Sequence, residues 1–244
     1  MLRSAIWRDL RWRVLAALPL VLTPATLVAF SYVVEARRNP PGPAGRGLAA
    51  YVDAAWFRAP GASAIFIVAA VLVGTLPTLL RPRADLRFLL ALPVTRSRWV
   101  AAHFGMSLAA LAGLVVLTDL IFVAAAVAGH VPLAPGPLLA RSLALLAGAS
   151  AWVGVALGVA SLVRHSALAV VLLLAGIAVL PNEHFRLDLP VRASPPPPPP
   201  WDAWLLVDPI AWSTGPPAAS LATAAGLGLA GFLLAVERVR RFEP

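Results

Sequence analysis

VAAHFGMSLAALAGLVVLTDLIFVAAAVA occupies residues 100–128. It holds one acid, Asp119, and one imidazole, His103; the rest is apolar, small or hydroxylated. A helix that crosses a membrane needs about 20 such residues, with a range of ~17–25. This run is long enough to tilt or to begin outside the hydrocarbon core. The whole chain has the same character: 244 residues, 60% hydrophobic and 13% charged. Soluble domains carry about 25% charged residues, and a chain this long leaves roughly a third of its surface in water. Lipid is the solvent that can cover so much apolar surface, so the sequence predicts an all-α polytopic membrane protein.

Working outward, six spans are expected, near residues 14–35, 62–80, 100–128, 138–163, 166–181 and 217–236. The fifth is short and runs into Pro181. Arginine sets the orientation, because positive charge collects in cytoplasmic loops; the chain has no lysine. With the N-terminus inside, thirteen arginines face the cytoplasm: Arg3, Arg8, Arg11, Arg13, Arg81, Arg83, Arg87, Arg96, Arg98, Arg164, Arg238, Arg240 and Arg241. Six face out: Arg37, Arg38, Arg46, Arg58, Arg186 and Arg192. Both termini are therefore expected in the cytoplasm, and the chain reads as a single transmembrane domain over 1–244. Heavy use of Ala, Pro, Gly and Arg without Lys suggests a GC-rich bacterial genome; the expected location is the bacterial inner membrane. The first apolar run is too long for a signal peptide and lacks a cleavage site, so it reads as a retained span.

Residues 1–13 form an amphipathic pattern, with Leu2, Ile6 and Leu10 at helical spacing and Trp7 and Trp12 suited to the headgroup level. They are expected as a cytoplasmic interfacial helix before the first span. Outside, NPPGPAG at 39–45 is a turn-rich linker and LAAYVDAAWF a short interfacial helix. Residues 182–216 hold six consecutive prolines, Pro195–Pro200, a polyproline II spacer. Trp201, Trp204 and Trp212 follow as interfacial anchors.

Most catalytic chemistry lacks its residues. There is no cysteine, so thiolate metal sites and Cys nucleophiles are excluded. Without lysine no P-loop can form, so any ATP hydrolysis belongs to another polypeptide. His103, His130, His165 and His184 have no metal-site spacing; Glu183, His184 and Asp188 read as a solvated loop, so no metal site is expected. GLGLAG at 226–231 matches a dinucleotide fingerprint but sits in an apolar span, where small residues let helices approach. Gly226 and Gly231, with Ser150, Gly154 and Gly158, read as helix-packing positions; the G-x-x-x-G at 154–158 could also support self-association. Asp119 lies about 14 Å from the end of its span, and an ionisable residue at that depth defaults to a functional role. The other reading is a hydrogen-bonded acid that locks helices through Thr118 or a neighbouring Ser.

Between the second and third spans, residues 86–104 read LRFLLALPVTRSRWVAAHF. Asp85 can cap a helix at Leu86, Pro93 ends it, and Thr95 or Ser97 can cap the next. By residue pattern alone this is an elbow on the inner membrane surface. LLALPVTRSRWV, residues 89–100, resembles the cytoplasmic segment after the second span of ABC-2 type transporter permeases. The arginine-rich start, six spans, and long outer segment between the last two agree in layout. Ala102 and His103 stand where relatives commonly carry Lys.

The resemblance implies a coupling helix that docks on a separate ABC ATPase subunit. Leu86, Phe88, Leu89, Leu90 and Leu92 would form its docking surface; Asp85 and Pro93 would bound it. Arg87, Arg96 and Arg98 would pair with acids on the ATPase or with lipid headgroups. The working unit would be two permeases, identical or paralogous, with two ATPases carrying ATP and Mg; this chain itself would hold no cofactor and catalyse no reaction. The substrate would be exported: a lipid, glycan, peptide or drug-like molecule. No nucleic-acid partner is expected. Three other classes remain open in the sequence. They are an ATPase-coupled scaffold that assembles an envelope machine, an intramembrane enzyme using Asp119, and an ion-coupled transporter.

Overall fold

The computed structural model describes residues 2–38, 60–75, 95–130, 135–163, 168–175 and 218–241. Five long helices dominate: α1 Leu2–Arg38, α2 Pro60–Gly74, α3 Arg96–Gly129, α4 Pro135–Leu162 and α5 Ala218–Arg241. Residues 168–175 are also helical, and there is no strand among the described residues. In lipid a backbone must satisfy its own hydrogen bonds, and a helix does so within one segment. Three stretches are long and apolar enough to cross a membrane: Ile6–Glu35, Ser97–Gly129 and Leu138–Leu162. Ile65–Gly74 is apolar but shorter. These helices give the chain its membrane-protein character. The outer segment 182–216, Trp201, Trp204, Trp212 and residues 39–59 lie outside the described residues.

The N-terminal segment departs from expectation. A separate interfacial helix over 1–13 is not what forms; α1 runs unbroken for 37 residues. No Gly, Pro or capping break separates Arg13 from Val14, so nothing stops the helix there. Ile6 and Leu10 are 3% and 0% exposed. They continue a buried stripe through Ala17, Val21, Ala25, Ala29 and Tyr32, so that face meets protein and not lipid. Trp7 and Trp12 stay exposed on the other side. Pro19 and Pro24 lie inside the helix.

α2 is the central element. Phe66, Ile67, Ala69, Ala70, Val71 and Val73 are all fully buried, and a helix apolar on every side belongs in the middle of a bundle. It touches α1, α3 and α4, while α1 also packs along α3. On α3 the buried stripe is Val100, His103, Ser107, Leu111, Leu114, Thr118, Phe122 and Ala126. Three of its members are polar. α3 ends where His130 turns left-handed (φ 52°, ψ 39°) and its N–H reaches the carbonyls of Ala126 and Val127.

The most extensive contact is α4 against α5, and it is made by glycines. A Cβ on Gly154 would collide with the Gly228 carbonyl, and one on Gly231 with the Gly154 carbonyl. A Cβ on Gly158 would lie 2.8 Å from the Gly231 Cα, and one on Gly228 2.8 Å from the Ala151 Cα. Contacts advance together, 151 with 228 and then 154 and 158 with 231, so the helices run parallel. Gly226 has nothing near its Cβ direction, and Ser150 Oγ turns back to the Ala147 carbonyl at 2.8 Å. Gly228 therefore takes the packing place expected of Gly226. The glycines expected to support self-association are filled from within the chain.

Candidate functional site

The expected docking segment is described only at its two edges. Asp85, Leu86, Arg87, Phe88, Leu89, Leu90, Leu92 and Pro93 lie outside the described residues. Thr75 closes the helix before it. Arg96 opens α3 after it, with Thr95 at the N-cap and the Trp99 N–H on the Thr95 carbonyl at 3.2 Å. Thr95 makes no side-chain cap bond; its hydroxyl stands 3.5 Å from that of Ser97. Arg98 is exposed on the first turn.

Between these edges, three helices converge on the end of α2. A helix leaves its last four carbonyls without intrahelical amides. Here the Thr75 hydroxyl donates to the Leu72 carbonyl at 3.2 Å. Ser107 Oγ, from α3, donates to the Val73 carbonyl at 2.8 Å. His103, one turn earlier on α3, is buried on the same stripe. Arg13 Nη1, from α1, donates to the Thr75 carbonyl and to Thr75 Oγ1, the latter at 2.9 Å. A cation at a helix C-terminus also opposes the negative end of its dipole. Thr75, His103 and Ser107 are each no more than 1% exposed. On the remaining side Gly74 lies against α4, where an added Cβ would come within 3.0 Å of the Val153 Cα. The last turn of α2 is thus clamped by α1, α3 and α4 one residue before the segment departs.

The return of the chain is tied to the same place. Trp99 is buried and stacks on His103, with ring centroids 5.9 Å apart and planes 23° from parallel. Among the described residues Trp99 Nε1 and His103 Nε2 have no hydrogen-bond partner. Phe104 meets Phe232 of α5 at 5.1 Å. Arg13, Thr75, His103 and Phe232 therefore mark one end of the bundle, to which both the start of α1 and the finish of α5 belong.

Asp119 sits apart from this junction. Ser142 Oγ donates to its Oδ1 at 2.7 Å, joining α3 to α4. Thr118 instead donates to Leu114 of its own helix at 2.9 Å. Asp119 is ten residues short of Gly129 and Ser142 seven beyond Pro135, or about 15 Å and 10 Å along the two helices. The pair lies toward the end of the bundle away from Arg13. Its geometry is that of a helix-to-helix lock. Among the described residues no three His, Asp or Glu gather as a metal site. Glu183, His184 and Asp188 are outside the described residues.

At the arginine-rich ends, Arg11 lies over the Trp12 ring at 5.2 Å. Glu237 accepts a 2.7 Å bond from Arg241 Nε, and this hydrogen bond, with the charge behind it, holds the Glu237 carboxyl below its ordinary pKa.

Sequence reasoning took Arg13 as one charge among many and gave His103, Ser107 and Thr75 no role. A signal existed: His103, Ser107 and Thr118 share the period of Leu111 and Leu114, so polar residues fall on the buried stripe. No protein-family model matches the chain, and none of the curated proteins matches it.

Proposed function

We propose that this protein is the permease subunit of an ABC exporter of the ABC-2 type, driven by a separate ATPase that docks on residues 85–98. The observation that carries the reading is the clamp on α2. A segment that merely joined two spans needs no such frame. Here its exit at Thr75 and its re-entry at Trp99 are fixed to one buried cluster that reaches α1, α3 and α4. That is the construction expected where an external force enters a bundle.

The helix directions favour the six-span layout. α4 and α5 run parallel, so the chain between them has to travel back along the bundle; that return is expected to be the fifth span, near residues 166–181. An even number of crossings puts both termini on one side, and the arginine distribution makes that side the cytoplasm of a bacterial inner membrane. ATP and Mg would sit on the partner, and a second permease copy would complete the unit. The substrate class is an exported lipid, glycan, peptide or drug-like molecule.

The test is purification of the tagged protein from its native host in mild detergent, beside Leu89→Arg/Leu90→Arg. An ABC ATPase is expected with the wild type and not with the variant, while both elute as folded protein. Absence of an ATPase from the wild-type complex, or equal recovery with the variant, overturns the reading.

A further inference from the structure

We propose that the Arg13 end of the bundle binds anionic phospholipid at two matching sites, one on α1 and one on α5, where exposed arginines hold the phosphate and a leucine beyond them meets the acyl chain. The inference stands on the membrane-crossing character of the helices and does not need the permease reading.

Six arginines are exposed at this end: Arg8 and Arg11 on α1, Arg98 on α3, and Arg238, Arg240 and Arg241 on α5. Among the described side chains the same end holds one acid, Glu237, which Arg241 engages. Positive charge is therefore in surplus, and it is ordered. On α1, Arg8, Arg11, Trp12 and Leu15 stand at i, i+3, i+4 and i+7, one face of a helix, and all four are exposed. That face is turned away from the buried stripe of Ile6, Leu10 and Ala17. On α5, Arg241, Arg238 and Leu234 repeat the spacing in reverse and are exposed too. Because α1 starts where α5 finishes, both faces run in the same order from the membrane surface inward: arginine, arginine, leucine. Seven residues separate the ends of each face, or about 10 Å along the helix. That length reaches from the headgroup layer, ~5–8 Å deep on each side of a bilayer, into the hydrocarbon.

These features fit a lipid better than a soluble protein. Arg8 and Arg11 lie within Ile6–Glu35, a stretch long and apolar enough to cross a membrane, so their exposed side faces the bilayer. Trp12 is 65% exposed, and Arg11 lies over its ring at 5.2 Å; tryptophan is enriched at the headgroup level. A guanidinium is a planar fork that matches a phosphate with two parallel N–H···O bonds. A zwitterionic headgroup carries its own cation beside the phosphate and gains little from a surplus of arginine. An anionic headgroup has no such internal partner, and clustered arginines beside a membrane helix attract it. The sites should therefore select lipids by net charge.

The test is native mass spectrometry of the protein released from nanodiscs of equal phosphatidylglycerol and phosphatidylcholine, counting the lipids it retains. The wild type is expected to retain phosphatidylglycerol over phosphatidylcholine by at least about fivefold. Arg8→Gln/Arg11→Gln and Arg238→Gln/Arg241→Gln should each lower that preference, and the four substitutions together should bring it close to equality. Arg38→Gln, at the opposite end of α1 and also exposed, should leave it unchanged. Inorganic phosphate in large excess should not displace the lipid, because it brings no acyl chain to Leu15 or Leu234.

No preference in the wild type, or an undiminished one in the fourfold variant, overturns the inference. An equal loss in Arg38→Gln overturns it too, since the preference then follows overall charge and not these two faces. Displacement by inorganic phosphate overturns the assignment to lipid. If the fourfold variant keeps its lipid preference but loses a copurifying ATPase, the arginines form a protein-docking surface: the inference falls and the permease reading stands. If the fourfold variant does not fold, the two double variants decide, and an undiminished preference in both overturns the inference.

Discussion

Two regions hold this bundle together by opposite means. Along α4 and α5, Gly154, Gly158, Gly228 and Gly231 bring backbone against backbone, with no side chain between. Beneath Thr75, Arg13 and Ser107 reach across from other helices to bond the end of α2. Lipid tails are as apolar as leucine, so helices in a membrane associate through close packing or through polar contacts. The seam uses the first and the junction the second. Close packing has one geometry and fails when anything is inserted. Hydrogen bonds can change partner. The contrast divides the molecule into a backbone-packed pair, α4 with α5, and a hydrogen-bonded junction where α1 and α3 meet the end of α2.

The sharpest way to break this contrast is to add volume to the seam. In Gly154→Leu the new Cβ meets a carbonyl of the facing backbone, which no rotamer change relieves. Overpacking costs about 1–3 kcal/mol where side chains can give way; here the expected loss is at least ~3 kcal/mol, seen as aggregation on size-exclusion chromatography after mild heating. Gly226→Ala, with open space at its Cβ, should leave the profile unchanged.

The junction should respond less. Arg13→Met keeps the stem but leaves the Thr75 carbonyl unsatisfied, an expected loss of about 1.5–3 kcal/mol by thermal melting in detergent. A drop as large as that of Gly154→Leu would erase the distinction between the two regions. Smaller again is the lock at Asp119. Interhelical hydrogen bonds in membranes average about 0.6 kcal/mol and reach ~1.7, so Ser142→Ala should destabilise within that range. Asp119→Asn retains an acceptor for Ser142 and should cost less.

The smallest effect belongs to Glu237. Its pKa is lowered in the folded chain, so whatever stability it adds is present above the ordinary carboxylate pKa and is lost as pH falls through the lowered one. The Arg241 and Glu237 side chains are 73% and 47% exposed, and exposed i,i+4 pairs contribute little. Glu237→Gln should leave the melting temperature unchanged at pH 7 within error.

The apolar runs were legible because a span depends on composition over many residues, and α3 and α4 fall within a few residues of their expected bounds. The start of α1 was not. Leu2, Ile6 and Leu10 spell an amphipathic face equally well whether it meets lipid or protein, and only the neighbours decide. The glycine seam shows the same limit from another side. Gly154, Gly158 and Gly231 announced close packing, but their partners lie across the bundle, and one-residue choices such as Gly228 over Gly226 follow from rotation about the helix axis. At the junction, each polar residue was visible and its meaning was not. Arg13 bonds a residue 62 positions away, and no local pattern encodes that distance.

The parallel course of α4 and α5 also sets a timetable for synthesis. Gly154 and Gly158 enter the membrane well before Gly228 and Gly231 exist. At 5–20 residues per second, the interval from residue 158 to residue 228 lasts roughly 4–14 s. Throughout it, the bare backbone groove of α4 faces lipid or whatever accompanies the nascent chain. A protein cut short before residue 218 would keep that groove permanently open, and should be bound by the insertion machinery or degraded sooner than the full chain.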